Sequence, residues 1–529
     1  MIEMEVLTPG PSDERPLLEG HVQTPNESSA DEPASRPDSR RGRKVRLHKE
    51  LSVVFGVGLL ITDIIGSGIF LSPNGVIKRT GSYGLALIVW VISGVVSACG
   101  ALCYGELSTF IRRSGADYTY IKEAYTFQNR NKFVTVFGNL ISFTYLWMNF
   151  LVSEPMSIAI GGLLAAEYLI KPAYLDCDPP PYAMKMLAIT IVVIPAMLNG
   201  FSVKLTLTII TVISVVKFIA CACIAALGIY QITVDGCDIN FAGSHFFEGS
   251  QYSVSGLSLA FYSGLYAYDG WTSLNFVTEE SQSVTTISKS IMIGMPIIIF
   301  CYIVVNLSFF AVLSVNELAS STAVALPFGY KVLGVAGEVI FSLFVPLSVF
   351  GALCSTILSG ARLRMVAGQD GLLPTFLSGI HNRYVTPVPA LLLQTTLGVI
   401  AILSGNLAQL VDSYSTGGWL YYGLVFGGLL IMRVTHRKVE RKFKVFIGIP
   451  IVMVFVAIFL VFLPIIREPI HSIVAFSLIS SGIPVYFIFV HEHRWRPKIF
   501  SKINAFLTRF FGALLNTSLA AQHDDKTIS

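Results

Sequence analysis

Apolar runs separated by short polar connections recur along nearly the whole chain. A helix crosses a hydrocarbon core of about 30 Å with roughly 20 apolar residues. Runs of that kind lie near 52–71, 85–105, 134–169, 183–200, 205–230, 256–277, 291–315, 337–360, 388–404, 409–432, 446–466 and 473–490, which makes twelve. The third is too long for one upright helix and is interrupted by Ser153, Glu154 and Pro155. Two crossings and a turn would need more than about 40 residues, so it reads as one long, tilted helix bent at the proline. Residues 1–45 and 515–529 have few apolar positions and no helical period, so both read as disordered. The expected organisation is a disordered tail over 1–45, an all-α polytopic membrane domain over 46–495, and a C-terminal segment over 496–529 that is disordered at its end.

Composition narrows the class. Of 529 residues, 53% are hydrophobic and only 13% are charged, against roughly 25% charged in soluble proteins. That excess exceeds what one or two globular cores could bury, which excludes a soluble enzyme, a nucleic-acid binder and a disordered scaffold. The net charge of +4 is small, so placement matters more than size. Arg36, Arg40, Arg41, Arg43, Lys44, Arg46 and Lys49 precede the first run, and Arg112, Arg113, Lys122, Arg130 and Lys132 separate the second from the third. Arg433, Arg437, Lys438, Arg441, Lys442 and Lys444 separate the tenth from the eleventh. With twelve crossings all three clusters share one side, and the excess of Lys and Arg makes it the cytoplasm. Both termini are then cytoplasmic. The first fifty residues have no apolar h-region, so no cleavable signal peptide is expected.

Two runs are broken by glycine. The first contains Asp63-Ile64-Ile65-Gly66-Ser67-Gly68, and the sixth contains Tyr266-Ala267-Tyr268-Asp269-Gly270-Trp271. Interrupted helices at matching places in two halves point to a transporter site at a repeat interface. Free N–H groups at a half-helix start suit a carboxylate, and free carbonyls suit an ammonium, which together describe an α-amino acid. Close packing of small residues is the alternative meaning of such glycines. Asp63, Glu154, Lys217 and Asp269 also fall inside runs, where each charge costs at least about 2.5 kcal/mol unless paired or hydrated. Lys217 lies roughly 18 Å from either end of its helix, too deep to reach water, and needs an internal partner.

With these features the sequence resembles a family. Gly66-Ser67-Gly68-Ile69-Phe70, Cys103-Tyr104-Gly105-Glu106-Leu107 followed by Ser114-Gly115 and Tyr118-Thr119-Tyr120, then Asn199, Ser202-Val203, Lys217, Ala267-Tyr268-Asp269-Gly270-Trp271 and Asn275 to Glu280 are similar to the L-type light chains of heteromeric amino acid transporters. These belong to the amino acid–polyamine–organocation superfamily, and the likeness spans about residues 45–510. It implies a LeuT-like fold of twelve transmembrane helices: inverted repeats of five over 52–230 and 256–432, broken helices 1 and 6, and two extra helices over 446–490. It further implies alternating access and sodium-independent exchange of amino acids at the plasma membrane. By the same resemblance Ile64, Gly66, Ser67 and Gly68 bind the α-amino and carboxylate groups, carbonyls around Tyr266 complete the ammonium site, and Tyr266 is an outer gate. Asp269 and Thr272 line the side-chain pocket, Trp419 walls it, and Lys217 replaces a second sodium site. No cofactor or metal is implied. A single-span glycoprotein heavy chain would be joined through Cys177.

Departures from the family pattern are as informative. Thr62-Asp63 stands where Gly-Thr is usual, Glu154 where a basic residue commonly precedes the proline, and the usual Asn-Pro before the seventh helix is missing from Ser283 to Ile287. Tyr268-Asp269-Gly270-Trp271 is similar to the subtype exchanging cationic amino acids and cystine. Asp269, with Glu154 and Asp63, is thus expected to select cationic and neutral over acidic substrates. A proton-coupled amino acid or polyamine symporter, with Asp63, Glu154 and Asp269 as a relay, is the competing reading. Cys177 and Cys237 fall in external loops, where an internal bridge between them is the alternative to a partner. Intramembrane proteases fit poorly: Gly368-Gln369-Asp370 lacks the aspartyl signature, and His491-Glu492-His493 lacks zincin spacing. A channel would want a symmetric ring of charges.

Overall fold

A computed structural model describes residues 51–519 except 114, 127–131, 175–178, 236–245, 405, 406, 468 and 492–497. Cys177 and Cys237 lie outside the described residues. The helices are α1 (Val53–Ile64), α2 (Gly68–Thr80), α3 (Tyr83–Phe110), α4 (Ala116–Thr126), α5 (Lys132–Met148), α6 (Glu154–Ile170), α7 (Pro181–Phe201), α8 (Val203–Asp235), α9 (Val254–Ala267) and α10 (Thr286–Val312). They continue with α11 (Val315–Ser320), α12 (Ala325–Leu333), α13 (Val335–Gln369), α14 (Val388–Ser404), α15 (Leu407–Thr435), α16 (Gly448–Arg467), α17 (Pro469–Ser480), α18 (Gly482–Val485) and α19 (Lys498–Leu514).

Among the described residues, seven helices are long and apolar enough to cross a membrane, and α1 with α2, bent by 49°, acts as an eighth. Shorter apolar helices occupy Val388–Ser404, Gly448–Phe462 and Phe476–Val490. The protein is therefore a multi-pass helical membrane protein. Starts are set by serine caps: Ser52, Ser82 and Ser253 accept the N–H groups of Phe55, Leu85 and Gly256, which the first turn of a helix otherwise leaves unpaired. Gly81, at φ +72°, ends α2 in the left-handed conformation that favours glycine.

The long third run is one helix over Val134–Ala173, 40 residues, as expected. What accommodates Pro155 is a π-helical turn at Asn149–Ser153, which absorbs an extra residue without breaking the span. Three expected boundaries need correction. The sixth run does not continue as a helix to 277: α9 stops at Ala267, and a turn leads into a 3-10 helix over Ser273–Glu280. The eighth runs past residue 360 to Gln369. Residues 515–519, expected to be unstructured, instead include strand β2 (Thr517–Leu519), antiparallel to β1 (Gly379–His381), with Gly379 opposite Leu519.

A buried ion cluster ties the end of α3 to the end of α15. Glu106, fully buried, accepts from Arg433 Nε at 2.9 Å, from Arg433 Nη2 and from the Val445 N–H at 2.9 Å. Arg441 approaches the same carboxylate at 3.7 Å. A buried carboxylate is tolerable only with such multiple donors, and this one fixes the chain after α15 against the body of the bundle.

Candidate functional site

The breaks in α1–α2 and after α9 face one another. A Cβ built on Gly68 would lie 2.4 Å from the Cα of Ala267, and one on Gly270 would lie 3.1 Å from the Asp63 carbonyl oxygen. Only glycine permits backbone contact this close, and Gly270 also needs its freedom for a φ of +108°. Each helix end leaves its last carbonyls without intrahelical partners, and most find one here. For α1, Ile61 O accepts Ile65 N–H at 2.9 Å, Thr62 O accepts Lys217 Nζ at 2.9 Å, and Ile64 O accepts Gly66 N–H at 2.8 Å. For α9, Gly264 O accepts Tyr268 N–H at 3.3 Å and Tyr266 O accepts Asp269 N–H at 3.2 Å. The Tyr302 hydroxyl, on α10, lies 2.7 Å from Ile64 O and 2.9 Å from Ala267 O and shares its one proton between the two breaks. The carbonyls of Asp63 and Leu265 remain without such a bond among the described residues. At the start of α2, Ser67 O accepts the N–H groups of Phe70 at 3.2 Å and Leu71 at 3.1 Å, and among the described residues no side chain caps the N–H groups of Gly68 and Ile69.

Side chains complete the junction. Ser67 Oγ lies 3.3 Å from the Tyr266 hydroxyl, joining the α1–α2 break to α9. Asp269 Oδ1 accepts from the Tyr422 hydroxyl of α15 at 2.8 Å. Tyr422 packs 4.8 Å from the Trp271 ring and 5.6 Å from Trp419, and Tyr104 meets Trp271 edge-on at 4.8 Å. Thr272 is buried beside this aromatic wall in sequence. Lys217 is 2% exposed and reaches α1 from α8, finding the internal partner its depth requires in the Thr62 carbonyl. Asp63 accepts from Ser355 of α13 at 2.9 Å. Ile64, Gly66, Ser67, Gly68, Tyr266 and Asp269 are thus gathered at one place, with Trp419 attached through Tyr422.

Glu154 belongs to a different polar cluster. Gln394 Nε2 of α14 donates to it at 3.2 Å, and a Cβ on Gly360 would lie 2.8 Å from both Glu154 Oε2 and Arg364 Nη1. Arg364 is 2% exposed and falls beyond the expected end of its span, so the hydropathy pattern gave no sign of it. Tyr302 carries no sequence signal either, as one aromatic residue inside an apolar run. Asp117 of α4 was also missed: Tyr104 and Tyr145 both donate to it.

The opposed breaks generate a contrast between two glycines of α1–α2. Gly68→Ala must push the broken segments apart and is expected to abolish uptake of every substrate at normal surface expression. Gly58→Ala, with nothing within 4 Å of the new methyl, is expected to leave uptake unchanged. Equal behaviour of the two variants would contradict the opposed geometry.

The amino acid permease family model matches residues 51–490. The chain is 38% identical to human b(0,+)-type amino acid transporter 1 over 472 residues, covering 89% of this chain and 94% of that protein. It is 35% identical to the human cystine/glutamate transporter over 473 residues, covering 89% and 91%. Mouse large neutral amino acids transporter small subunit 2 shares 33% identity over 489 residues, covering 91% and 88%. These matches run through both broken helices and the aromatic wall, and with them the resemblance read from the motifs holds: the chain belongs to the amino acid permease family, and is a membrane transporter rather than an enzyme.

Proposed function

We propose that the protein is a sodium-independent exchanger of cationic and neutral L-amino acids, working by alternating access across twelve helices arranged as two inverted repeats of five plus two. The observation that carries this reading is the pair of opposed breaks, one offering N–H groups at a helix start and the other a helix end. An α-carboxylate placed at the first turn of α2 gains from the N–H groups and from the positive end of the helix dipole. An α-ammonium is suited to the carbonyls left over at Asp63 and Leu265. Lys217 supplies a fixed ammonium beside α1, so a second cation there would meet like-charge repulsion in a poorly screened site. Sodium is therefore unnecessary.

Asp269 is the selectivity residue in this reading. Tyr422 donates its hydroxyl to Asp269 Oδ1 and orients the carboxylate. An arginine or lysine side chain entering the pocket supplies the opposite charge and recovers part of the desolvation cost, while neutral substrates bind through the backbone groups. Glutamate and aspartate are rejected. Relatives named for cystine/glutamate and for large neutral amino acids are compatible with selectivity set at this pocket rather than in the backbone site.

One observation favours a second reading, proton-coupled symport. Asp63 and Glu154 accept hydrogen bonds from neutral side chains, Ser355 and Gln394, and burial pushes the Asp117 carboxyl up to about 6, within reach of protonation near neutral pH. Arginine and leucine influx, measured with and without sodium, with and without a pH gradient, and with preloaded amino acid, separates the two. Exchange predicts trans-stimulation that survives choline replacement; uptake driven by the pH gradient alone would select the symporter. In the same assay Asp269→Gly is expected to depress arginine and lysine uptake tenfold or more, on the order of 1.4 kcal/mol, while sparing leucine. Equal loss for both would make Asp269 a structural residue.

The proposed assembly is a heterodimer at the plasma membrane, with both termini cytoplasmic and Cys177 bridged to a single-span glycoprotein. Its support is the human relatives' coverage of nearly the whole chain and the acidic, proline-rich setting of Cys177 in sequence. Non-reducing gels are expected to show a dimer band that Cys177→Ser converts to a lone light-chain band. A monomer band under both conditions would favour a Cys177–Cys237 bridge instead.

A further inference from the structure

The C-terminal helix α19 is not used by the transport site, and its surface divides into three faces. At 3.6 residues per turn, Asn504, Thr508 and Phe511 share one side. This side is occupied: Phe511 stacks on Phe376 at 4.8 Å, Thr375 N–H donates to Asn504 Oδ1 at 3.0 Å, and Asn504 Nδ2 donates to Thr375 Oγ1 at 2.5 Å. Ile503, Phe506, Phe510 and Leu514 fall on a second side and are 44%, 65%, 47% and 64% exposed. Such large apolar groups in one uninterrupted stripe are not accounted for by the chain itself. Lys502 and Arg509 are exposed on a third side, across the apolar stripe from the packed one. The helix contains no acidic residue, and Arg494, Arg496 and Lys498 precede or open it in sequence.

The level of α19 is fixed by what it packs on. Thr375 and Phe376 lie in the connection between α13 and α14, two helices of the membrane bundle, and β1 in that connection pairs with β2 just after α19. A connection between adjacent spans sits at the membrane surface, so the helix bonded to it lies there too. Because α14 and α15 return the chain to the same side, the basic segment from Arg433 to Lys444 faces the same surface.

We propose that α19 is an interfacial docking helix for anionic phospholipid. Its apolar stripe enters the acyl–headgroup boundary, its packed side stays on the α13–α14 connection, and Lys502 and Arg509 meet phosphate and carboxylate headgroups. An apolar stripe flanked by basic residues at the level of the interface is what a helix lying in a charged membrane surface requires.

The full chain in its native assembly, with p-benzoyl-phenylalanine in place of Phe506 or Phe510, can be placed in nanodiscs of phosphatidylcholine alone or with phosphatidylserine and irradiated. Mass spectrometry is expected to find phospholipid adducts at both positions, in higher yield with phosphatidylserine, and Lys502→Glu with Arg509→Glu should remove that excess. Photoprobe in place of Thr508 should react within the chain. Adducts to another protein chain at 506 and 510, or lipid adducts in equal yield from both discs, would overturn the proposal.

Discussion

A backbone N–H or carbonyl left unbonded away from water costs several kcal/mol, and two helices of this protein, α1 and α9, stop against one another inside the helical bundle. The arrangement that makes this tolerable is the apposition of the two breaks. Carbonyls released by α1 are met by Ile65, Gly66 and Lys217, those released by α9 by Tyr268 and Asp269, and Tyr302 touches one carbonyl from each. Neither break could persist alone in lipid. Because one hydroxyl serves both, a displacement of α1–α2 disturbs α9, which couples the two halves of the junction mechanically.

The remaining polar groups follow from the same constraint. Lys217 is buried in an otherwise apolar helix because α1 supplies a carbonyl that its own helix cannot use. Glu106 is surrounded by Arg433, Arg441 and the Val445 N–H and anchors the end of α15, the helix that presents Tyr422 and Trp419. The helix that orients Asp269 through Tyr422 is therefore held in place by a separate ion cluster. Glu154 accepts from Gln394 and lies near Arg364 around Gly360, in a polar cluster apart from the junction of the broken helices.

Much of this was legible in sequence for physical reasons. Long apolar runs must be spans, and glycines inside them at matching places mark broken helices, so Gly66, Gly68 and Gly270 could be read directly. The rest was hidden where periodicity or hydropathy is silent. Helix α9 stops at Ala267, well before its apolar run ends, because Trp271, Leu274 and Phe276 keep the turn and 3-10 helix that follow apolar. Arg364 was out of sight because α13 continues helical beyond the point where polar residues appear. Tyr302 is invisible in principle: its role depends on two carbonyls, those of Ile64 and Ala267, that lie far upstream in the chain. The strand at Thr517–Leu519 owes its order to pairing with Gly379–His381, a tertiary contact that local composition does not report.

The central claim is that an amino acid is held by backbone groups at the junction of the two breaks, and amide hydrogen exchange of the intact transporter tests it most directly. Addition of saturating arginine or leucine is expected to slow exchange in segments 64–70 and 266–272 for both substrates, because both share the same α-groups. Unchanged exchange in these two segments, with protection appearing elsewhere in the bundle, would contradict the account.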